Sequence, residues 1–455
     1  SDRRAMLEPI WREVLLHHFH DILPGSSITR VNREAVETLT RIESTLDTCI
    51  AELMAELPHA GDAPTALNLT PMSRTEHVAI DGTWFRGDFA PYASAALVPV
   101  VASPELSHSG DTMSNGIIGL RFGTSGEITS FTDAAGAEQS AGGLNRLVLH
   151  RDPYQFPFDA WDIDQEYTQR TPRTLRTATM STRIDGPRLI RTHTYRFRRS
   201  TIEQHVILEV GSNLVRFETT VDWHETHRML RAEFRPTHFG STVKCEIQFG
   251  HIERTTLERN EVERAQFEIC AHKWIAVHDD GGDDGGGDGG SGFALLNDSK
   301  YGHRAKSGLL SINLLRSPTF PDKTADRGIR RFAYAMRPFG ADELTEVIRD
   351  GYRFNHPVLV SPGAKLPSAA STDNPAVIVE TIKPAESGNG VILRLYECLG
   401  GPAVTALRTE LPHASAHETN LMEVLLGPID LGRLEFTPFE IKTILLQSKK
   451  TEAVR

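Results

Sequence analysis

The sequence predicts a mainly β protein that opens on a helical segment, and three observations carry that expectation. Apolar residues recur at helical spacing only over the first 58 residues. Beyond them apolar and polar residues alternate, and turn-forming residues separate the alternating runs. At 455 residues the chain is also too long for one core, so the alternation must be shared among about two to four domains. The expected order is a helix-bundle remnant over 1–58, a small β module over 59–102, a large antiparallel β-supersandwich over 103–368 and a C-terminal β-sandwich over 369–455.

Residues 11–27 read WREVLLHHFHDILPGSS. Leu15, Leu16 and Phe19 give this stretch an apolar side, and Pro24-Gly25 ends its helix. His20 and Asp21 therefore fall at the helix's C-terminal end, where an imidazole beside a carboxylate suits metal ligation. A second, long helix is expected over 29–57, because Val31, Ala35, Leu39, Ile42, Leu46, Cys49 and Leu53 recur at three- and four-residue steps. Two antiparallel helices cannot bury both faces alone, so a third helix is expected ahead of the first residue, as in a chain cut from a longer one.

From about residue 60 the period becomes two. Residues 66–69 and 77–80 flank a Thr70-Pro71-Met72-Ser73 turn and suggest a small strand module to about Val101, followed by a Ser/His/Gly-rich linker over 103–111. Ile118, Leu120 and Phe122 then alternate before a Thr124-Ser125-Gly126 turn, and Val206, Leu208 and Val210 precede a Gly211-Ser212-Asn213 turn into Val215, Phe217, Thr219 and Val221. Many such hairpins imply a large antiparallel sandwich. The Gly/Asp run over 279–292 lacks the nine-residue period of calcium-binding repeats and reads as a solvated hairpin insertion. A second linker over 369–375 precedes a final small sandwich ending in Leu434, Phe436, Ile441, Ile444 and Leu446.

Composition excludes several classes of function. A net charge of −11 argues against nucleic acid as a partner, since phosphate recognition needs clustered cations. No apolar run approaches the ~20 residues of a membrane span. Cys49, Cys245, Cys270 and Cys398 are far apart and lack CxxC spacing, so a reducing, cytoplasmic setting is expected rather than a disulfide framework. Self-association into a homo-oligomer is compatible with this composition.

Three constellations bear on chemistry. His224-Glu225-Thr226-His227 is one residue short of the HExxH zinc motif, whose histidines share a helix face at four-residue spacing, so it reads as a strand end with a polar surface. Residues 152–167, DPYQFPFDAWDIDQEY, interleave Tyr154, Phe156, Phe158, Trp161 and Tyr167 with carboxylates. That mixture suits a sugar, with rings such as Trp161 covering its C–H face and carboxylates such as Asp162 accepting from its hydroxyls; a packed loop pinning two sheets explains it equally. The third is the opening stretch. FHDILPGSSI (19–28) resembles the helix-end motif of glycoside hydrolase family 38, the retaining α-mannosidases. The likeness continues in family order through DAWDID (159–164), VDWHETHRMLRAEF (221–234), FEICAHKW (267–274), FALLNDSKYG (293–302), LLRSPTFPD (314–322) and FTPFEIKT (436–443).

The resemblance implies a catalytic (β/α) barrel ahead of a three-helix middle domain and several β domains. It implies a zinc ion at the barrel mouth, held by His and Asp of the barrel and one His of the helical domain. That last role carries onto His20, with Asp21 close enough to hydrogen-bond a mannoside. The nucleophile and general acid belong to the barrel, so this chain is expected to be inactive by itself and to partner that missing domain on mannose-containing glycans. A non-catalytic carbohydrate-binding or scaffold module is the competing expectation; it would use Trp161 and Asp162 and not His20.

Overall fold

The computed structural model describes residues 3–100, 103–157, 159–280, 291–340 and 343–448, which form a helical pair followed by a succession of antiparallel sheets. Helix α1 spans Arg4–His17 and α2 spans Thr29–Glu56. The apolar stripe of α2 buries Ala35, Ile42 and Cys49 and leaves Leu39 and Leu53 exposed. Helix α1 buries no residue, and Trp11, Leu15 and Leu16 stand open to solvent. Two helices thus leave apolar surface uncovered, as their pattern requires.

One local expectation is corrected. His20 and Asp21 lie beyond the end of α1, in a run of turns, rather than in its last helical turn. The amides of Ile22 and Leu23 both reach the Phe19 carbonyl, and that of Gly25 reaches Ile22. Ser26 donates to the Asp21 carboxylate at 3.2 Å and Ser27 to the Asp21 carbonyl at 2.7 Å. Such side-chain bonds compete with the helical ladder, and Pro24 has no N–H to extend it.

The chain leaving α2 is pinned by a distant segment. Ala60 N–H donates to Gly363 O at 2.8 Å and Lys365 N–H to Pro58 O at 2.7 Å. Gly363 has φ 71°, and a Cβ there would stand 1.9 Å from the Gly61 carbonyl, so only glycine fits the crossing. The small strand module is divided between two sheets. Thr65–Asn68 pairs with Ala93–Ala96 and Leu359–Val360, whereas Arg74–Ile80 pairs with Thr83–Phe89 in a separate sheet. Buried Asn68 redirects the chain: its amide donates to the Met72 and Ala90 carbonyls, both at 2.8 Å, and its oxygen accepts from Thr70.

The large domain is a sandwich of a six-stranded and a nine-stranded sheet. Expected hairpins form in register, with Val206 opposite Phe217 between Ser200–Glu209 and Val215–Trp223. In Gly328–Phe339 the residues Phe332, Tyr334 and Met336 enter the core between the sheets, and Ala333 and Ala335 face outward. Helix Leu344–Asn355 covers that outward face with Val347, Ile348 and Tyr352. Both stretches read as linkers carry strands: Ser107–Ser109 pairs with Thr112–Ser114, and Ala370–Thr372 with Leu407–Thr409. Ladder bonds are made by backbone, so a polar edge strand needs no apolar pattern. Residues 281–290, the bulk of the Gly/Asp run, lie outside the described residues.

The C-terminal sandwich closes on Val377, Val379, Leu393, Leu395, Ile444 and Leu446. All four cysteines are free, and Cys49, Cys245 and Cys398 are buried. Among the described residues no helix is long and apolar enough to cross a membrane.

Three neighbouring strands of the six-stranded sheet matter most. Arg146–Arg151 runs out into the 152–167 loop, Arg228–Phe234 begins just after His227, and Leu309–Leu315 runs out into Arg316. Antiparallel pairing brings these three ends to one edge.

Candidate functional site

At that edge the loops lock together around buried charge. Arg316 grips Asp152 with Nε at 3.0 Å and Nη2 at 3.2 Å, a two-pronged pair in which the Asp152 side chain is wholly buried. The same Nη2 donates to the backbone carbonyls of Asp159 at 3.1 Å and Asp162 at 2.7 Å, so one guanidinium holds both shoulders of Trp161. Burial raises the Asp152 carboxyl, and Arg316 opposes that rise. The Asp159 carboxylate accepts the Thr319 amide at 2.7 Å, the Phe320 amide at 3.2 Å and the His227 Nε2 contact at 3.1 Å. Its other oxygen, Oδ1, is buried without a hydrogen-bond partner among the described residues.

The helical turn is fastened to the same loops by Asp322. That carboxylate accepts from Thr29 Oγ1 at 2.7 Å and from Asn32 Nδ2 at 3.1 Å, both on the first turn of α2. Thr324 supplies its amide at 2.8 Å and hydroxyl at 2.9 Å. Burial acts to raise this carboxyl, but these donors outweigh it and hold Asp322 below the usual carboxylate range.

The consequence is a meeting of residues about 140 positions apart in sequence. His20, two-thirds exposed, presents its ring edge-on to Trp161, with centroids 6.0 Å apart at 89°. Asp21 Oδ2 lies 3.5 Å from His20 Nε2, and its Oδ1 accepts from Ser26. Trp161 is exposed, as are Tyr154 and Phe156 in the same loop. Three of the four residues singled out from sequence therefore stand together. Asp162 stands apart: its carboxylate accepts the Ile163 amide at 2.8 Å, and among the described residues no contact joins it to His20. His17 bonds the Glu13 carbonyl within its own helix.

The HETH segment is more internal than a polar surface. Glu225 is buried, accepting from Ser200, and His227 belongs to the Asp159 cluster. His224 faces Asp222 at 2.9 Å, so the two histidines turn to different carboxylates. Sequence reasoning missed the roles of Arg316, Asp152, Asp159, His227 and Asp322, because their partners lie far off in the chain and nothing local names them.

The arrangement offers an exposed imidazole steadied by a carboxylate, beside an exposed indole, on rigidly tied loops. Among the described residues no group of three or more His, Cys, Asp or Glu side chains gathers as a metal site. His20 with Asp21 thus fits one ligand and its orienting partner, not a complete centre.

Residues 1–57 match the α-mannosidase middle domain, 113–324 the glycosyl hydrolases family 38 C-terminal domain, and 376–444 the family 38 C-terminal β-sandwich domain. Human α-mannosidase 2C1 is 33% identical over 97% of this chain and 45% of its own length. The α-mannosidase of Saccharomyces cerevisiae is 25% identical over 89% of this chain and 39% of its own length. The chain thus spans about half, or less, of the curated relatives it matches. The crystal structure of an α-mannosidase from Enterococcus faecalis V583 shares the fold, with a TM-score of 0.80 at 14% identity, over 98% of this chain and 64% of that one. The chain belongs to glycosyl hydrolase family 38, of which it carries the middle and C-terminal domains.

Proposed function

We propose that this chain is the supporting part of a zinc-dependent, retaining α-mannosidase acting on mannose-containing glycans in the cytoplasm. The observation that carries the reading is the joining of the His20 turn to the Trp161 loop at one exposed edge. In this reading His20 would hold the zinc as one ligand, and the remaining ligands, the nucleophile and the general acid come from a (β/α) barrel outside this chain. Bound zinc supplies Lewis-acid polarisation of sugar hydroxyls. Asp21, steadied by Ser26, orients the His20 ring and offers an acceptor to a mannoside. Trp161 covers the C–H face of a pyranose, and Asp162 accepts from an outlying hydroxyl. Double displacement through a mannosyl-enzyme needs two close carboxyl groups, which the barrel would provide. Four free cysteines support a reducing compartment. The chain alone is inactive in this account.

A second reading, a non-catalytic carbohydrate-binding module, draws on the exposed Tyr154, Phe156 and Trp161. Replacement of His20 by Ala in the full-length protein separates the two. Loss of zinc and of α-mannoside hydrolysis supports the enzyme; unchanged hydrolysis, with sugar binding lost on Trp161→Ala, supports the module. Hydrolysis of an aryl α-mannoside by this chain alone would overturn the enzyme reading as stated.

A further inference from the structure

We propose that the outer face of the six-stranded sheet holds a separate site for a phosphate group, either free phosphate or the monoester of a single sugar. This rests on the charge and shape of one cavity, and not on the mannosidase reading. Leu147, Leu149, Leu230 and Ala232 of that sheet face the sandwich core, which turns Arg146, His150, Arg231 and Glu233 outward. The segment bearing Tyr167 covers part of this outer face and leaves a cavity of about 250 Å³.

The wall is strongly cationic. Arg146, Arg170, Arg231, Arg235, Arg304 and Lys306 line it, against the single carboxylate of Glu233. Glu166, Glu258 and Glu268 pair with lining arginines, and even with them the balance is six cations to four carboxylates. In a chain of net charge −11, that excess is local and not a reflection of composition.

Two of these cations make no ion pair among the described residues, and a buried imidazole beside them keeps one ring nitrogen unpaired. Lys306 is buried; among the described residues its ammonium donates to the carbonyls of Thr255, Leu257 and Glu263, at 3.0 to 3.1 Å, and the Glu258 and Glu263 carboxylates act on it only through space. The Arg235 side chain has no hydrogen bond or ion pair among the described residues, and its guanidinium is free to turn to an oxyanion. His150 is buried; its Nε2 lies 3.6 Å from Glu233, and its Nδ1 has no partner. Unbalanced buried charge is costly, and a dianion in the cavity would offset it. Guanidinium forks match phosphate oxygens, and the Ser311 hydroxyl, which accepts from Arg231 at 2.7 Å, keeps its own proton to donate. The volume is small for a ligand pocket, enough for phosphate or one sugar phosphate and too little for an oligosaccharide.

The test is calorimetric titration of the chain at low ionic strength with inorganic phosphate and with mannose 6-phosphate, each against a matched chloride blank. Saturable binding is expected, weakened at least about tenfold in the Arg170→Gln/Arg235→Gln double variant. Arg170 is exposed and Arg235 unpaired, so the fold should tolerate both changes, and an unaltered unfolding midpoint verifies it. Equal affinities identify free phosphate, and a preference for the ester identifies a sugar phosphate; both support the site. No saturable binding of either probe, or equal binding by the double variant, overturns it.

Discussion

Asp322 is the joint between the helical turn and the β loops, and its removal should loosen α2 without unfolding the sandwich. Asp322→Ala deletes the acceptor for Thr29 and Asn32, the two bonds that cross from α2 to the 314–322 segment. A hydrogen bond to a charged group contributes about 1.5 kcal/mol at the low end, so the pair is worth about 3 kcal/mol. Opening of the first turns of α2 should therefore rise about 100-fold. Hydrogen exchange read by mass spectrometry on peptides covering 29–40 measures that opening directly. Strands such as Val215–Trp223, deep in the sandwich, should keep their protection. Thr29→Val should loosen the same peptides, and adding it to Asp322→Ala should cost nothing further, because both act through one contact; Asn32 stays in place, since its amide also donates to the Ser27 carbonyl at 3.2 Å. Unchanged exchange in α2, or full additivity of the two changes, would refute the joint. The pH dependence has a fixed sign. Asp322 titrates below its unfolded value of about 3.9, so its contribution is complete above that pH and is lost as pH falls through the lower folded value.

Other outcomes follow from the same chemistry. Arg316→Ala leaves the wholly buried Asp152 carboxylate without its cation and should cost about 3–5 kcal/mol, read as a lower urea midpoint with loss of the Trp161 environment in fluorescence. His193, His251 and His303 are buried neutral, with burial lowering them to about 4, about 4 and about 3. Their unfolded forms bind protons first, so each should remove about 1.4 kcal/mol of stability per unit as pH falls from about 6.5 toward those values. Urea midpoints at pH 7.5 and 5 check this, and His303→Leu should flatten the slope. Cys270 is the exposed cysteine, while burial pushes the Cys245 and Cys398 thiols up to about 12. A thiol reagent should accordingly titrate one group quickly in the native chain and four in denaturant.

Periodicity made much of the fold legible. Val206, Leu208, Phe217 and Val221 alternate because one face of each strand meets a core, and the structure pairs them as that alternation requires. The stripe of α2 was equally readable, from Ala35 through Ile42 to Cys49. What escaped were features written in backbone or in distant partners. Ser107–Ser109 is an edge strand without apolar residues, and Leu359–Val360 joins a sheet whose other members lie before residue 100. At the site, His20 and Trp161 could be picked out by chemistry and family likeness. Arg316 could not, since its use lies in reaching Asp152 across 164 residues.

Helix α2 is fixed at both ends by segments far along the chain, at Asp322 near Thr29 and at Gly363 and Lys365 just past its close. It is therefore a spacer of set length, about 42 Å for 28 residues. A helix with one loose end can absorb an added residue by fraying. This one cannot, because an insertion would push its start about 1.5 Å along the axis and rotate it by about 100°. The distance and bearing of His20 relative to Trp161 are thus written into the number of residues between two anchor points, and the helix serves as the molecule's own gauge.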